Sequence, residues 1–205
     1  DASYRKFYRI IINNKSKIII SAEKEKYNNL IAYASVSEFL RKNNILAPRL
    51  IGHNYSKGII VIEDFGNTSF YQILLKKKNK LKIYLQLIDL LLKIQKIKLQ
   101  TRLKSIIKKK HLVEEYSLKH LVKESDLFFD FYLPLLFNKK KVLNIKKKTK
   151  KVLFKINKKI YLPNSCFVHR DFHVQNLMKV GKNVGVIDSQ DALIGNPAYD
   201  LVSII

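Results

Sequence analysis

A single cysteine in 205 residues, Cys166, removes two kinds of stabilising chemistry at once. No intrachain disulfide can form, and no thiolate cluster can hold a structural metal. A reducing, cytoplasmic setting is the expectation for such a chain. Long apolar runs are also missing: Lys, Asp or Gln interrupts every hydrophobic stretch before it reaches the roughly 20 residues that a membrane helix needs. No secretory leader is visible, and no internal repeat. The chain starts at Asp1 rather than at a methionine and stops in the apolar DLVSII, so both ends are expected to be cuts from something longer. Acidic residues are scarce, 16 against 40 Lys and Arg, which leaves a formal charge of +24.

That charge invites a nucleic-acid reading, because clustered cations gain affinity by displacing counterions from phosphates. Its distribution argues otherwise. Lysine fills surface-type positions throughout, in LLKKKNKLK, SIIKKKHL and NKKKVLNIKKKTKKVLFKINKK, beside abundant Ile and Asn. Such a bias follows codon composition rather than a partner, so a solvated basic surface is expected and nucleic acid is not expected as a ligand. With 47% apolar residues the chain has enough material for a buried core.

The N-terminal part reads as strands. YRKFYRIII and KIIIS, joined by NNKS, predict a β-hairpin. A helix is expected over 22–43, with acidic residues in its first turn. APRLIGHNYSKGIIVIEDFG then predicts a short strand, a glycine turn and a strand Ile59 to Ile62 that ends at Glu63 and Asp64.

Beyond it the character is helical. In LKIYLQLIDLLLKIQKI, the residues Leu81, Tyr84, Leu85, Ile88, Leu91, Leu92 and Gln95 share one face and predict a core-facing stripe. A second helix is expected from His111 to Leu133, closed by Pro134. The lysine-rich span from Asn138 to Lys159 reads as an amphipathic helix or a surface excursion. The C-terminal region reads strand, loop, strand, Gly/Asn turn, strand, loop. A strand-rich beginning followed by a helix-rich remainder predicts an α+β fold with a boundary near residue 64, and a ligand cleft between two lobes.

HRDFHVQNLM followed by VGVIDSQDA carries the chemistry. Asp171 and Asn176 share one loop, and Asp188 ends the next strand, so three oxygen-bearing side chains can converge. Asn176 and Asp188 are hard oxygen donors suited to Mg2+, and Asp171 stays free to accept a proton from an attacking hydroxyl. His169, Arg170, Asp171, Asn176 and Asp188 match the H-R-D-x-x-x-x-N loop and metal-binding aspartate of kinases. Phosphoryl transfer needs mostly positioning and charge neutralisation, so few residues at fixed spacing suffice. Any one of them alone would be read as a turn or capping residue.

The segment VHRDFHVQNLM to VGVIDSQDALIGNPAYDLVSII resembles the aminoglycoside phosphotransferase superfamily, above all its bacterial cell-wall sugar branch, the anomeric N-acetylmuramate/N-acetylglucosamine kinases. DASYRKFYRI resembles the nucleotide-loop opening of that branch, and IIVIEDFGNTSF its inter-lobe linker. The resemblance implies a two-lobed, protein-kinase-like fold, with residues 1–64 as the nucleotide-binding lobe and 65–205 as the catalytic lobe. It also implies ATP and Mg2+ as cofactors and a small-molecule acceptor, an amino sugar. It makes Asp171 the catalytic base and Asn176 and Asp188 the metal ligands, with His169, Arg170 and Asp200 bracing the loop. Ser3, Tyr4 and Arg5 would lie over the ATP phosphates, and the backbone of Ile62, Glu63 and Asp64 would meet the adenine. Gln190 and Asp191 would face the acceptor or the metal.

Three departures stand out. Ser189 occupies a position where close relatives usually carry an aromatic residue. KIIIS holds no lysine of the kind that binds phosphate in the wider superfamily, and Lys17 and Arg5 are the candidate substitutes. Relatives continue past the end of this sequence with helices that help form the acceptor pocket. Other small-alcohol kinases of the superfamily, and a catalytically weak pseudokinase-like binder, are therefore the alternatives to an amino-sugar kinase.

Overall fold

The computed structural model describes residues 5–23, 27–105 and 110–204. Two strands, β1 (Arg5–Ile12) and β2 (Lys15–Ala22), form the expected hairpin. Its two turn residues, Asn13 and Asn14, both take positive φ (50° and 55°), the backbone a two-residue hairpin turn requires and that asparagine tolerates. Helix α1 runs over Tyr27–Lys42; Ala22, where the expected span begins, pairs with Arg5 in the hairpin, and Glu25, expected in the first turn, lies outside the described residues. β3 (Leu50–Asn54) and β4 (Ile59–Glu63) complete an antiparallel sheet of order β1-β2-β4-β3. Gly58, between them, has φ of 66°, and a Cβ there would stand 2.4 Å from the Ala22 carbonyl oxygen, so only glycine closes this turn.

Helices α2 (Phe70–Lys76) and α3 (Leu81–Gln95) follow, then the short paired strands β5 (Arg102–Leu103) and β6 (His111–Leu112). α2 starts on a capping box made by Ser69 and Gln72. α3 is helical as expected, but its buried stripe is Leu87, Leu90, Leu91 and Ile94, while Leu81, Leu85 and Leu92 are exposed. Lys82, Gln86, Asp89 and Lys93 mark one exposed polar strip, but the apolar arc beside it is wider than the buried stripe, so the packing partners choose which part of that arc turns inward.

β7 (Cys166–Val168), β8 (Leu177–Val180) and β9 (Asn183–Val186) are the strands read around the HRD loop. β10 (Leu193–Gly195), which pairs with β7, and α7 (Ala198–Ile204) follow them. One apolar cluster gathers Phe39 and Leu40 of α1, the α3 stripe, Phe167, Phe172, Leu177 and Val186. A second joins Ile20, Leu30, Tyr33, Ile60 and Ile62. Fully burying each such side chain contributes about 1.5–3 kcal/mol, enough to fix the loops that hang from these elements.

Residues 5–114 and 165–204 belong to one compact unit. Glu115–Asn164 form another, made of α4 (Leu118–Leu127), a π-helical segment Phe128–Tyr132, α5 (Leu133–Leu136) and α6 (Lys139–Ile160). The helix expected from His111 thus begins only at Leu118, where Ser117 and His120 form a capping box, and His111 is in a strand. Pro134 does not close it. It sits in the first turn of α5, where a missing N–H costs nothing. The lysine-rich span is a helix, and Phe129, Leu133 and Val142 are the buried centre of this unit. No helix among the described residues is long and apolar enough to cross a membrane.

Candidate active site

The loop between β7 and β8 is held from three directions. Asp200, fully buried in the first turn of α7, accepts the backbone N–H groups of His169 (2.7 Å) and Arg170 (2.9 Å). Arg170 sits at φ of 74°, a conformation costly for a residue with a side chain, and the two carboxylate contacts hold the chain in it. Burial pushes the Asp200 carboxyl up to about 6, with the Asp171 charge adding to the rise and the two N–H contacts opposing it.

His169 is the second anchor. Its ring is fully buried, and Nε2 lies 3.1 Å from the Ile187 carbonyl oxygen, so Nε2–H donates. Burial pulls the imidazole down to about 4, which makes it a neutral spacer between two loops rather than a proton carrier. The third anchor is Asn176. Its Nδ2 donates to the Asp171 carbonyl (3.1 Å), while its own carbonyl accepts the N–H of Ile187 (3.0 Å).

These contacts tie Asp171, Asn176 and the end of β9 together. Asp188 follows at φ of 64°, and its backbone N–H reaches the hydroxyl oxygen of Tyr33 on α1. Its carboxylate meets Arg5, with Nη2 3.0 Å from Oδ1. The Asp171 carboxyl is raised by burial first, then by the negative charges of Asp188 and Asp191, with His173 and Arg170 opposing. Both aspartates therefore lie within one another's field, Asp171 is displaced toward a better proton acceptor, and a cation placed between them would relieve the repulsion. Asp188 and the amide oxygen of Asn176 are a hard-oxygen donor set that fits Mg2+.

The remaining predicted residues divide. Ser3 and Tyr4 lie outside the described residues. Ile62, Glu63 and Asp64 line a hollow of about 200 Å³ with Phe7, Arg9, Ile18, Tyr33, Met178 and Ile187. The Asp64 carboxylate is already engaged, by Arg9 in a two-pronged pair (2.6 and 3.0 Å), by Ser16 and by the Gly66 N–H (2.8 Å). Any ligand contact at Asp64 is thus left to its backbone. Gln190 is buried and donates to Asp191 at 2.6 Å, and Ser189 is buried with its hydroxyl unpartnered. Phe65 covers Gly185, where a Cβ would stand 2.6 Å from the ring. Tyr33 and Arg9 were not legible as site residues, since neither belongs to a spaced motif.

Residues 5–205 match the phosphotransferase enzyme family. The chain belongs to that family. Its curated relatives include N-acetylmuramate/N-acetylglucosamine kinases of Neisseria meningitidis, 24% identical over all of this chain and 59% of the relative, and of Pseudomonas aeruginosa, 24% identical over 98% of this chain and 56% of the relative. The chain therefore spans somewhat over half the length of these relatives. Among solved structures, the GDP and kanamycin complex of APH(2")-IIia aligns over 99% of this chain and 69% of its own, with a TM-score of 0.67 at 15% identity. Choline kinase LicA from Streptococcus pneumoniae aligns over 97% and 64%, with a TM-score of 0.60 at 18% identity. At such identities these likenesses establish the kinase-like fold.

Proposed function

We propose that this chain carries an ATP-dependent phosphotransferase site that moves the γ-phosphate to a hydroxyl of a small molecule, an amino sugar such as N-acetylmuramate or N-acetylglucosamine. The observation that supports it most is the Asp171–Asn176–Asp188 arrangement: a proton-accepting carboxylate raised by burial, tied through one asparagine to the strand end that presents the second carboxylate. The amino-sugar acceptor is supported by the names of the curated relatives, and ATP by structural neighbours solved with it.

In this reading residues 1–64 serve the nucleotide and 65–205 the catalysis, in a cytoplasmic setting. The hollow beside Ile62 and Glu63 receives the adenine, with hydrogen bonds to backbone between Ile62 and Asp64. Asn176 and Asp188 would hold Mg2+, which when bound neutralises charge on the phosphates. Asp171 orients the acceptor hydroxyl and takes its proton as the oxygen bonds to phosphorus. The bond from phosphorus to the bridging oxygen breaks, and ADP leaves with that electron pair. Asp200, His169 and Arg170 keep the loop in its strained form, and Gln190 with Asp191 stands on the acceptor side.

The test is a phosphotransfer screen with Mg-ATP against N-acetylmuramate, N-acetylglucosamine, an aminoglycoside and choline, scored by the mass of the phosphorylated product. Transfer to an amino sugar is expected, with Asp171→Asn slower by about 10²–10⁴-fold at an unchanged melting temperature. Undiminished transfer by folded Asp171→Asn would rule out the assigned role. Preference for choline or the aminoglycoside would replace the amino sugar as acceptor.

A further inference from the structure

Kinase-like sites bring a strand lysine to the nucleotide phosphates and steady it with a glutamate on the neighbouring helix. Neither residue is present in that form among the described residues. Along β2 the side chains alternate, and the face turned to the nucleotide hollow carries Ile18 and, fully buried, Ile20. Lys17, one residue out of phase, lines a polar hollow with Lys15, Arg49 and Ile51 on the other side of Glu63 and Asp64, which line both. The sole acid of α1, Glu38, pairs with Lys42 at 3.2 Å.

A different cation reaches the Asp188 carboxylate. Arg5, at the start of β1, has a side chain only 9% exposed and sets Nη2 3.0 Å from the Asp188 carboxylate. Its guanidinium also lies 5.5 Å from the centre of the Phe7 ring. Tyr33, wholly buried on α1, accepts the Asp188 backbone N–H and stands within the field of both charges. We infer that Arg5 is the phosphate-binding cation of this site, parked on Asp188 until a nucleotide arrives, with Tyr33 as the residue that positions Asp188. This rests on the nucleotide-site reading above.

The physical case has three parts. A guanidinium presents a planar fork that matches two phosphate oxygens, which a strand lysine cannot do. Its low exposure strengthens each such contact, since little solvent screens it. An exchange of partners also keeps both charges compensated. With the site free, Arg5 and Asp188 neutralise one another. With a metal nucleotide bound, Asp188 faces the cation and Arg5 the phosphates, so neither charge is left alone at any stage.

Binding separates this from a structural role. Affinities for adenosine, ADP and Mg-ATP would be measured by calorimetry for the wild-type chain and for Arg5→Met, Arg5→Lys, Lys17→Met and Tyr33→Phe. Arg5→Met is expected to weaken Mg-ATP on the order of 30-fold while leaving adenosine within about twofold. Arg5→Lys, which keeps charge but loses the fork, should show an intermediate loss confined to the phosphorylated ligands, and it decides the matter if Arg5→Met does not fold. Lys17→Met should bind all three as the wild type does. Tyr33→Phe should lose affinity for Mg-ATP and keep that for adenosine, whereas a merely structural tyrosine would move both together. Wild-type affinity for Mg-ATP in the Arg5 variants, or its loss in Lys17→Met, would overturn this inference alone. A wild-type chain that binds no nucleotide would overturn the phosphotransferase reading and this inference with it.

Discussion

Asp200 and His169 are both fully buried in the support of the loop between β7 and β8, and their titrations oppose one another. His169 is held at about 4, below its ordinary value of 6.5, so the unfolded chain binds its proton more readily. The stability it confers is present above pH 6.5 and is lost as the pH falls toward 4. Asp200 is held at about 6, above its ordinary 3.8, so the folded chain binds the proton more readily, and stability is gained as the pH falls from about 6 toward 3.8. Linkage makes the histidine cost about 2–3 kcal/mol between pH 7.5 and 4.5, and the aspartate return about 2 kcal/mol over the same interval.

The two nearly cancel in the native sequence. Asp200→Asn removes one of them. The histidine is then unopposed, because the Asp200 charge is not among the influences on its ring. Urea denaturation from pH 4.5 to 7.5 is expected to show the variant losing about 2 kcal/mol more than the wild type as the pH falls. At pH 7.5 the asparagine offers one oxygen to two backbone donors and sets its amide against the other, which is expected to loosen the loop at Arg170. Parallel profiles for the two proteins would refute the assignment of these opposed burial effects.

Three further outcomes follow from particular contacts. Gly185→Ala places a methyl group against the Phe65 ring, 2.6 Å from it before any adjustment, and is expected to cost about 1–3 kcal/mol in denaturation. The Gly185→Ala, Phe65→Ala double variant should cost less than the sum of the two single ones, and strict additivity would count against that contact. Cys166 is 4% exposed, and burial pushes its thiol up to about 11, so a thiol reagent at pH 7.5 should label it only at the rate of unfolding. Immediate stoichiometric labelling of the folded chain would contradict its burial.

The proposed catalytic loop could be read from the sequence because its residues lie close along the chain: Asp171, Asn176 and Asp188 fall within one strand-loop-strand stretch. The hairpin was legible for the same reason, with two asparagines marking its turn. What was missed depends on distant contacts. Tyr33 meets Asp188 across 155 residues of chain, and nothing around IAYASVS distinguishes it from an ordinary core aromatic. Arg5 could be named as a candidate cation but not chosen over Lys17, since strand phase becomes decisive only once the sheet face toward the hollow is known. The buried stripe of α3 was misjudged because its apolar arc is wider than the face that packs, so the polar strip of Lys82, Gln86, Asp89 and Lys93 says which side is out but not which apolar residues go in. Pro134 was read as a stop although it serves equally well as a start, and only the π-helical turn before it decides between them.

The central claim is that Asn176 and Asp188 form a hard-oxygen site for a metal nucleotide beside Asp171. Calorimetric titration of ATP with and without Mg2+, on the wild type, Asn176→Ala and Asp188→Ala, tests it most directly. The account predicts that Mg2+ tightens ATP binding to the wild type by at least tenfold, about 1.4 kcal/mol, and that either substitution abolishes the gain. Equal affinity with and without the metal in all three proteins would contradict it.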